Sequence, residues 1–108
     1  MRDFTPDLRD LGRRLAEAET YLNIVDNRER FAVLEAEISD PSLWDDQDRA
    51  KKLNAEYADI KDDLATFDSL SEQIADVEVL HELAREEGDE SQEPDIEAAI
   101  VDVSATLD

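Results

Sequence analysis

The stretch AKKLNAEYADIKDDLATFDSLSEQIADVEVL, residues 50–80, decides the fold class. Ala50, Leu53, Tyr57, Ile60, Leu64 and Phe67 recur at alternating steps of three and four, which places them on one face of a helix. Leu70, Ile74, Val77 and Leu80 continue the face after a single register slip behind Phe67. Neither proline nor glycine interrupts the run. The pattern predicts one helix from an aspartate cap at Asp45 or Asp46 to about Glu87, on the order of 60 Å long at 1.5 Å per residue. Gly88 is the natural stop, because glycine enters the left-handed conformation that closes a helix without a Cβ penalty.

Outward from this stretch the same logic yields three more helices. In TPDL, Thr5 reads as an N-cap and Pro6 as a first-turn residue. Leu8, Leu11, Leu15, Ala18, Leu22 and Val25 then form a seam, predicting a helix over 5–25 that Gly12 weakens only modestly. Asp26 and Glu29 resemble a capping box that restarts the chain, and Phe31, Leu34 and Ile38 carry a second helix over 26–39. Asp40-Pro41 ends it, since the residue before proline avoids helical backbone. Past the polar loop GDESQEPD, Pro94 opens a last helix over 94–107 with Ile96, Ile100, Val103 and Leu107 on one face. No segment alternates as a strand would. Apolar stripes must bury against one another, so the expectation is an all-α antiparallel bundle, a coiled-coil hairpin of three to four helices around one long central helix. Residues 1–108 read as a single domain. Asp10/Arg14, Asp45/Arg49 and Asp48/Lys52 have the spacing of exposed helical ion pairs.

Composition narrows the function classes. The formal charge is −20, from 31 acids and 11 bases, and beyond Lys61 there are 16 acids against one base, Arg85. A surface of that sign does not grip phosphate backbones or anionic membranes, and leaves basic protein partners open. Without cysteine there is no disulfide, thiol nucleophile or Cys-based zinc site. The 41% hydrophobic content, set in regular stripes, argues against disorder. There is no signal-peptide-like leader and no apolar run of bilayer length, so the expectation is a cytoplasmic chain.

The search for chemistry returns no catalytic, cofactor-binding or metal-binding residue. His81 is the single histidine. Without a glycine-rich turn nearby it reads as an ordinary helix residue at a polar edge. Glu78 and His81 have the Glu-x-x-His spacing of di-iron bundles, but a second histidine is missing. Asp62/Asp63 and Glu86/Glu87 read as solvated charge, the loop at 88–95 lacks EF-hand order, and Gly12 and Gly88 do not form a phosphate loop. Tyr21, Phe31, Tyr57 and Phe67 lie on or beside the seams and read as core. In DPSLWDD, residues 40–46, Leu43 and the lone Trp44 are expected to tuck over the end of the bundle, with Trp44 as a partner-contact residue the second possibility.

Leu34-Glu35-x-Glu37, Asp40-Pro41-x-x-Trp44-Asp45-Asp46, Ala50, then Leu80-x-Glu82-Leu83-Ala84 and Glu86-Glu87-Gly88-Asp89 together resemble the N-terminal domain of type 2 bacterial peptide chain release factors. The resemblance covers essentially the whole chain. The Asp-Pro-x-x-Trp-Asp element is its most specific part, and its tryptophan favours type 2 over type 1. What it implies is a domain of a translation termination factor acting at UAA and UGA. The Ser-Pro-Phe codon-reading tripeptide and the Gly-Gly-Gln hydrolysis motif of that family are not in this sequence. The resemblance therefore implies a non-enzymatic, cofactor-free monomeric module facing the ribosomal stalk base and a release-factor GTPase. The alternative of a different class is an acidic adaptor coiled coil that pairs with a partner helix.

Overall fold

The computed structural model describes residues 2–108. Helices α1 (Thr5–Tyr21), α2 (Ile24–Ile38), α3 (Gln47–Glu87) and α4 (Glu93–Leu107) follow in order, with 3-10 turns at Pro41–Asp45 and Glu90–Gln92. There is no strand among the described residues. The fold is all-α, built on one long helix, as the periodicity predicts. The chain divides into two compact units, residues 1–18 with 68–108 and residues 19–67. The register slip after Phe67 falls at that division.

The first unit is a three-helix packing. Phe4, Leu8 and Leu11 meet Leu70, Ile74, Val77 and Ala84 of α3 and Ile96 and Val103 of α4 in one core. The start of α1 lies by the end of α3, where Arg85 donates to the Thr5 hydroxyl, so those two helices are antiparallel. Arg2 reaches Glu93 and Arg14 reaches Ser104, so α1 runs parallel to α4. The second unit is an antiparallel hairpin of α2 and the first part of α3. Arg30 forks onto both carboxylate oxygens of Glu56 at 2.7 and 2.9 Å, and Phe31 stacks on Tyr57 with ring centroids 4.8 Å apart. Its buried residues include Ile24, Leu34, Leu43, Ala50, Ile60, Leu64 and Phe67. Burying each large aliphatic side chain contributes roughly 1.5–3 kcal/mol.

One local device recurs where helical turns begin. Asp3 accepts from the N–H and hydroxyl of Thr5, Asp40 does the same for Ser42, and Asp89 for Ser91. Asp-x-Ser/Thr thus satisfies N–H groups that have no intrahelical partner. Hydrogen bonds to the hydroxyl and backbone of Thr5 hold the Asp3 carboxyl below its ordinary range; the backbone of Ser42, then its hydroxyl, does so for Asp40; the hydroxyl of Ser91, then its backbone, for Asp89. At the first helix this is a correction, since the capping carboxylate is Asp3 and Thr5 is already helical. Asp46 caps α3 by accepting from the Arg49 N–H at 3.1 Å. Gly88, at φ +64°, closes it: its N–H reaches the Arg85 carbonyl, and the Asp89 N–H reaches Ala84. This pair of bonds is a Schellman motif.

The first interhelical break differs from the sequence expectation. α1 ends at Tyr21, and Asn23 takes the left-handed conformation at φ 53°. Asparagine tolerates that region better than most residues. The break precedes the Asp26/Glu29 pair, and Asn23, not Asp26, stands at the N-cap of α2, without a side-chain cap bond. Leaving the helix at Asn23 destroys the phase of the seam, so Leu22 and Val25 are exposed while Ile24 is buried. Tyr21 is exposed as well, not core. The expected ion pairs of Asp10 with Arg14 and Asp45 with Arg49 also yield to other partners. Asp10 bonds Arg13, Arg14 binds Ser104 and Asp108 of α4, and Arg49 lies 3.8 Å from Glu37.

Candidate functional site

Two places concentrate side chains that sequence reasoning singled out. The first is His81. It is buried, at 4% exposure, not at a polar edge. The slip after Phe67 leaves positions 80 and 81 both near the seam, and packing against the N-terminal segment selects the histidine. Its Nε2 accepts the backbone N–H of Phe4 at 3.2 Å, a role for an unprotonated ring nitrogen. The Phe4 ring meets it edge-on, at 5.6 Å and 84°. Asp3 Oδ1 lies 3.8 Å from Nε2 and 3.7 Å from Arg85. Arg2 covers the other side of Phe4, 4.6 Å from the ring centroid. His81 thus fastens Phe4 onto α3, while the Arg2 N–H ties the same segment to Glu93 of α4. The contact the structure shows for its Nε2 is with the backbone, so His81 anchors the N-terminal segment.

A surface depression of about 520 Å³ lies along this part of α3, lined by Glu78, His81, Glu82, Arg85 and Glu86. Among the described residues its lining comes from one helix, and carboxylates predominate. Small-molecule sites are usually lined by groups converging from several elements, and among the described residues this depression is lined by α3 alone. Asp62, Asp63, Glu86 and Glu87 are exposed. Among the described residues no group of three or more His, Asp or Glu side chains is placed to hold a metal ion. No helix of the described residues is long and apolar enough to cross a membrane.

The second place is the corner between α2 and α3. Asp40 and Asp46 bracket the 3-10 turn: the Asp40 carboxylate accepts from Ser42 within it, the Asp46 carboxylate accepts from the Arg49 N–H of α3 beyond it, and Leu43 N–H to the Asp40 carbonyl and Asp46 N–H to the Leu43 carbonyl, both 3.1 Å, close it. Leu43 is buried at 2% exposure, as expected. Trp44 is 63% exposed, which overturns its expected place in the packing. A five-residue 3-10 turn offers one inward position, and the leucine takes it. The sequence did carry a signal for this outcome. Residues three apart share a face in such a turn, so Trp44 aligns with Pro41 and not with Leu43.

Comparison with known proteins places this geometry. Residues 27–107 match the PCRF domain. Relatives called peptide chain release factor 2 include one from Corynebacterium aurimucosum, 36% identical over 96% of this chain and 28% of its own length. Another, from Mycolicibacterium smegmatis, is 37% identical over 90% of this chain and 27% of its own. The chain therefore spans about a quarter of the length of the curated relatives it matches.

Proposed function

This chain belongs to the PCRF domain family, and on that premise we propose that it is the N-terminal helical module of a peptide chain release factor that terminates translation. The observation that carries the reading is the match of residues 27–107, which contains the whole Asp-Pro-x-x-Trp-Asp corner and all of α3. Relatives bearing the name of peptide chain release factor 2 align over nearly the full chain. The resemblance of the Asp40–Asp46 element to type 2 factors supports action of the whole factor at UAA and UGA codons.

The module's part in that process is to meet proteins. Its charge of −20 repels RNA and favours basic protein surfaces. Contacts on the side of the ribosomal stalk base, and with a release-factor GTPase, suit a surface of this sign. The chain contains neither Ser-Pro-Phe nor Gly-Gly-Gln, so codon reading and hydrolysis of peptidyl-tRNA belong to other parts of the factor. A cytoplasmic location follows from work at the ribosome.

The test is a release assay. Purified chain added to ribosomes stalled at a stop codon, with labelled peptidyl-tRNA in the peptidyl site, should liberate no peptide. Release above the buffer control would contradict a non-catalytic module.

A further inference from the structure

The corner turn Pro41–Asp45 has three residues per turn, so its side chains fall into three columns. Leu43 alone points into the packing. Pro41 and Trp44 form an exposed apolar ridge, and Ser42 and Asp45 lie in the neighbouring column. The acids here are not equivalent. Asp40 is occupied by Ser42, and Asp46 by the N–H of Arg49. The Asp45 carboxylate has no hydrogen bond or ion pair among the described residues, and Asp45 is exposed and follows Trp44 in the chain.

We propose that the Pro41–Trp44 ridge, with Asp45 beside it, is a docking surface for a basic protein segment that lays an arginine over the indole. Charge complementarity selects the occupant. In residues 19–67 acids outnumber bases about two to one, so a second copy of the chain or a nucleic acid would be repelled. A guanidinium is attracted by the face of an indole and can fork onto an adjacent carboxylate. Tryptophan on a backbone held at both ends supplies contact area at little entropic cost, the property of interface anchors. The inference deepens the protein-facing reading of the module and rests on it, while its test needs no ribosome.

Trp44 is the only tryptophan, so its emission reports on this one place. The whole 108-residue chain is titrated with an amphipathic helical peptide of arginine and leucine, and with the same peptide carrying glutamine for arginine. The arginine peptide should shift the emission to the blue and the glutamine peptide should not. By calorimetry, Trp44→Ala should weaken binding roughly tenfold or more, and Trp44→Phe should retain most of it. Asp45→Asn should weaken it severalfold, and Asp62→Asn, equally exposed but on α3, should have little effect. Unchanged emission at saturating peptide, or equal losses in Asp45→Asn and Asp62→Asn, would overturn the proposal, since binding would then be diffuse charge attraction. Failure here with a normal outcome in termination assays would remove the docking surface and leave the family reading intact.

Discussion

Leu43 and Trp44 are neighbours with opposite fates. The leucine is one of the anchors of the second unit, and the larger indole stands in solvent. Leu43→Ala should cost about 2–5 kcal/mol in urea unfolding, the range for emptying a buried leucine site. Trp44→Ala should stay within about 0.5 kcal/mol of the parent. Equal losses would mean that the indole is packed after all. The aspartates of the Asp-x-Ser/Thr corners make a separate, pH-dependent contribution. The folded Asp40 carboxyl lies below its ordinary 3.8, because the backbone and hydroxyl of Ser42 bond its charged form. A depressed carboxylate stabilises the fold above its unfolded value, and that contribution is lost as pH falls through the folded one. Asp40→Asn should therefore unfold more easily than the parent near neutral pH, with the gap closing below 3.8. A gap that persists in acid would show that shape, not charge, is what the asparagine lacks.

At the level of helices, the two glycines separate conformational from steric effects. A Cβ added at either position would meet nothing within 4 Å. Gly88 nonetheless sits at φ +64°, where a side chain costs about 1–2 kcal/mol, so Gly88→Ala should destabilise by that amount in thermal or urea melts. Gly12 is inside α1, and Gly12→Ala should stabilise by roughly 0.5–1 kcal/mol. A reversed order would contradict the assigned end of α3. These elements also show what the sequence made legible. Asp46 and Gly88 act through bonds to residues a few places away and Pro94 through its fixed backbone in the first turn of α4, so their roles could be read from local order alone. The break at Asn23 could not, because asparagine in the left-handed region carries no apolar signal, and the Asp26/Glu29 spacing offered a more familiar cap. His81 escaped for a different reason. Its burial depends on the Phe4 N–H from 77 residues away, a tertiary contact that helical periodicity does not encode. The docking corner was half legible: the inward leucine and an aspartate cap at Asp45 or Asp46 were visible, while the Asp40 cap and the outward tryptophan required seeing a 3-10 turn, with three residues per turn instead of 3.6.

At the scale of the whole chain, apolar seams gave the fold class, while the grouping of contacts into two units emerged only from packing. Charge carried the functional reading further than any single residue. A net charge of −20 argues against gripping a phosphate backbone, and the family match then supplied a context in which an acidic helical module has a task. The central claim is that this chain can serve as the N-terminal part of a termination factor. It is tested most directly by replacing the aligned N-terminal region of the Mycolicibacterium smegmatis relative with this chain and measuring peptide release at UAA and UGA codons, beside the intact factor and one lacking that region. The chimera should restore release to the level of the intact factor. A folded chimera that performs no better than the truncated factor would contradict the claim.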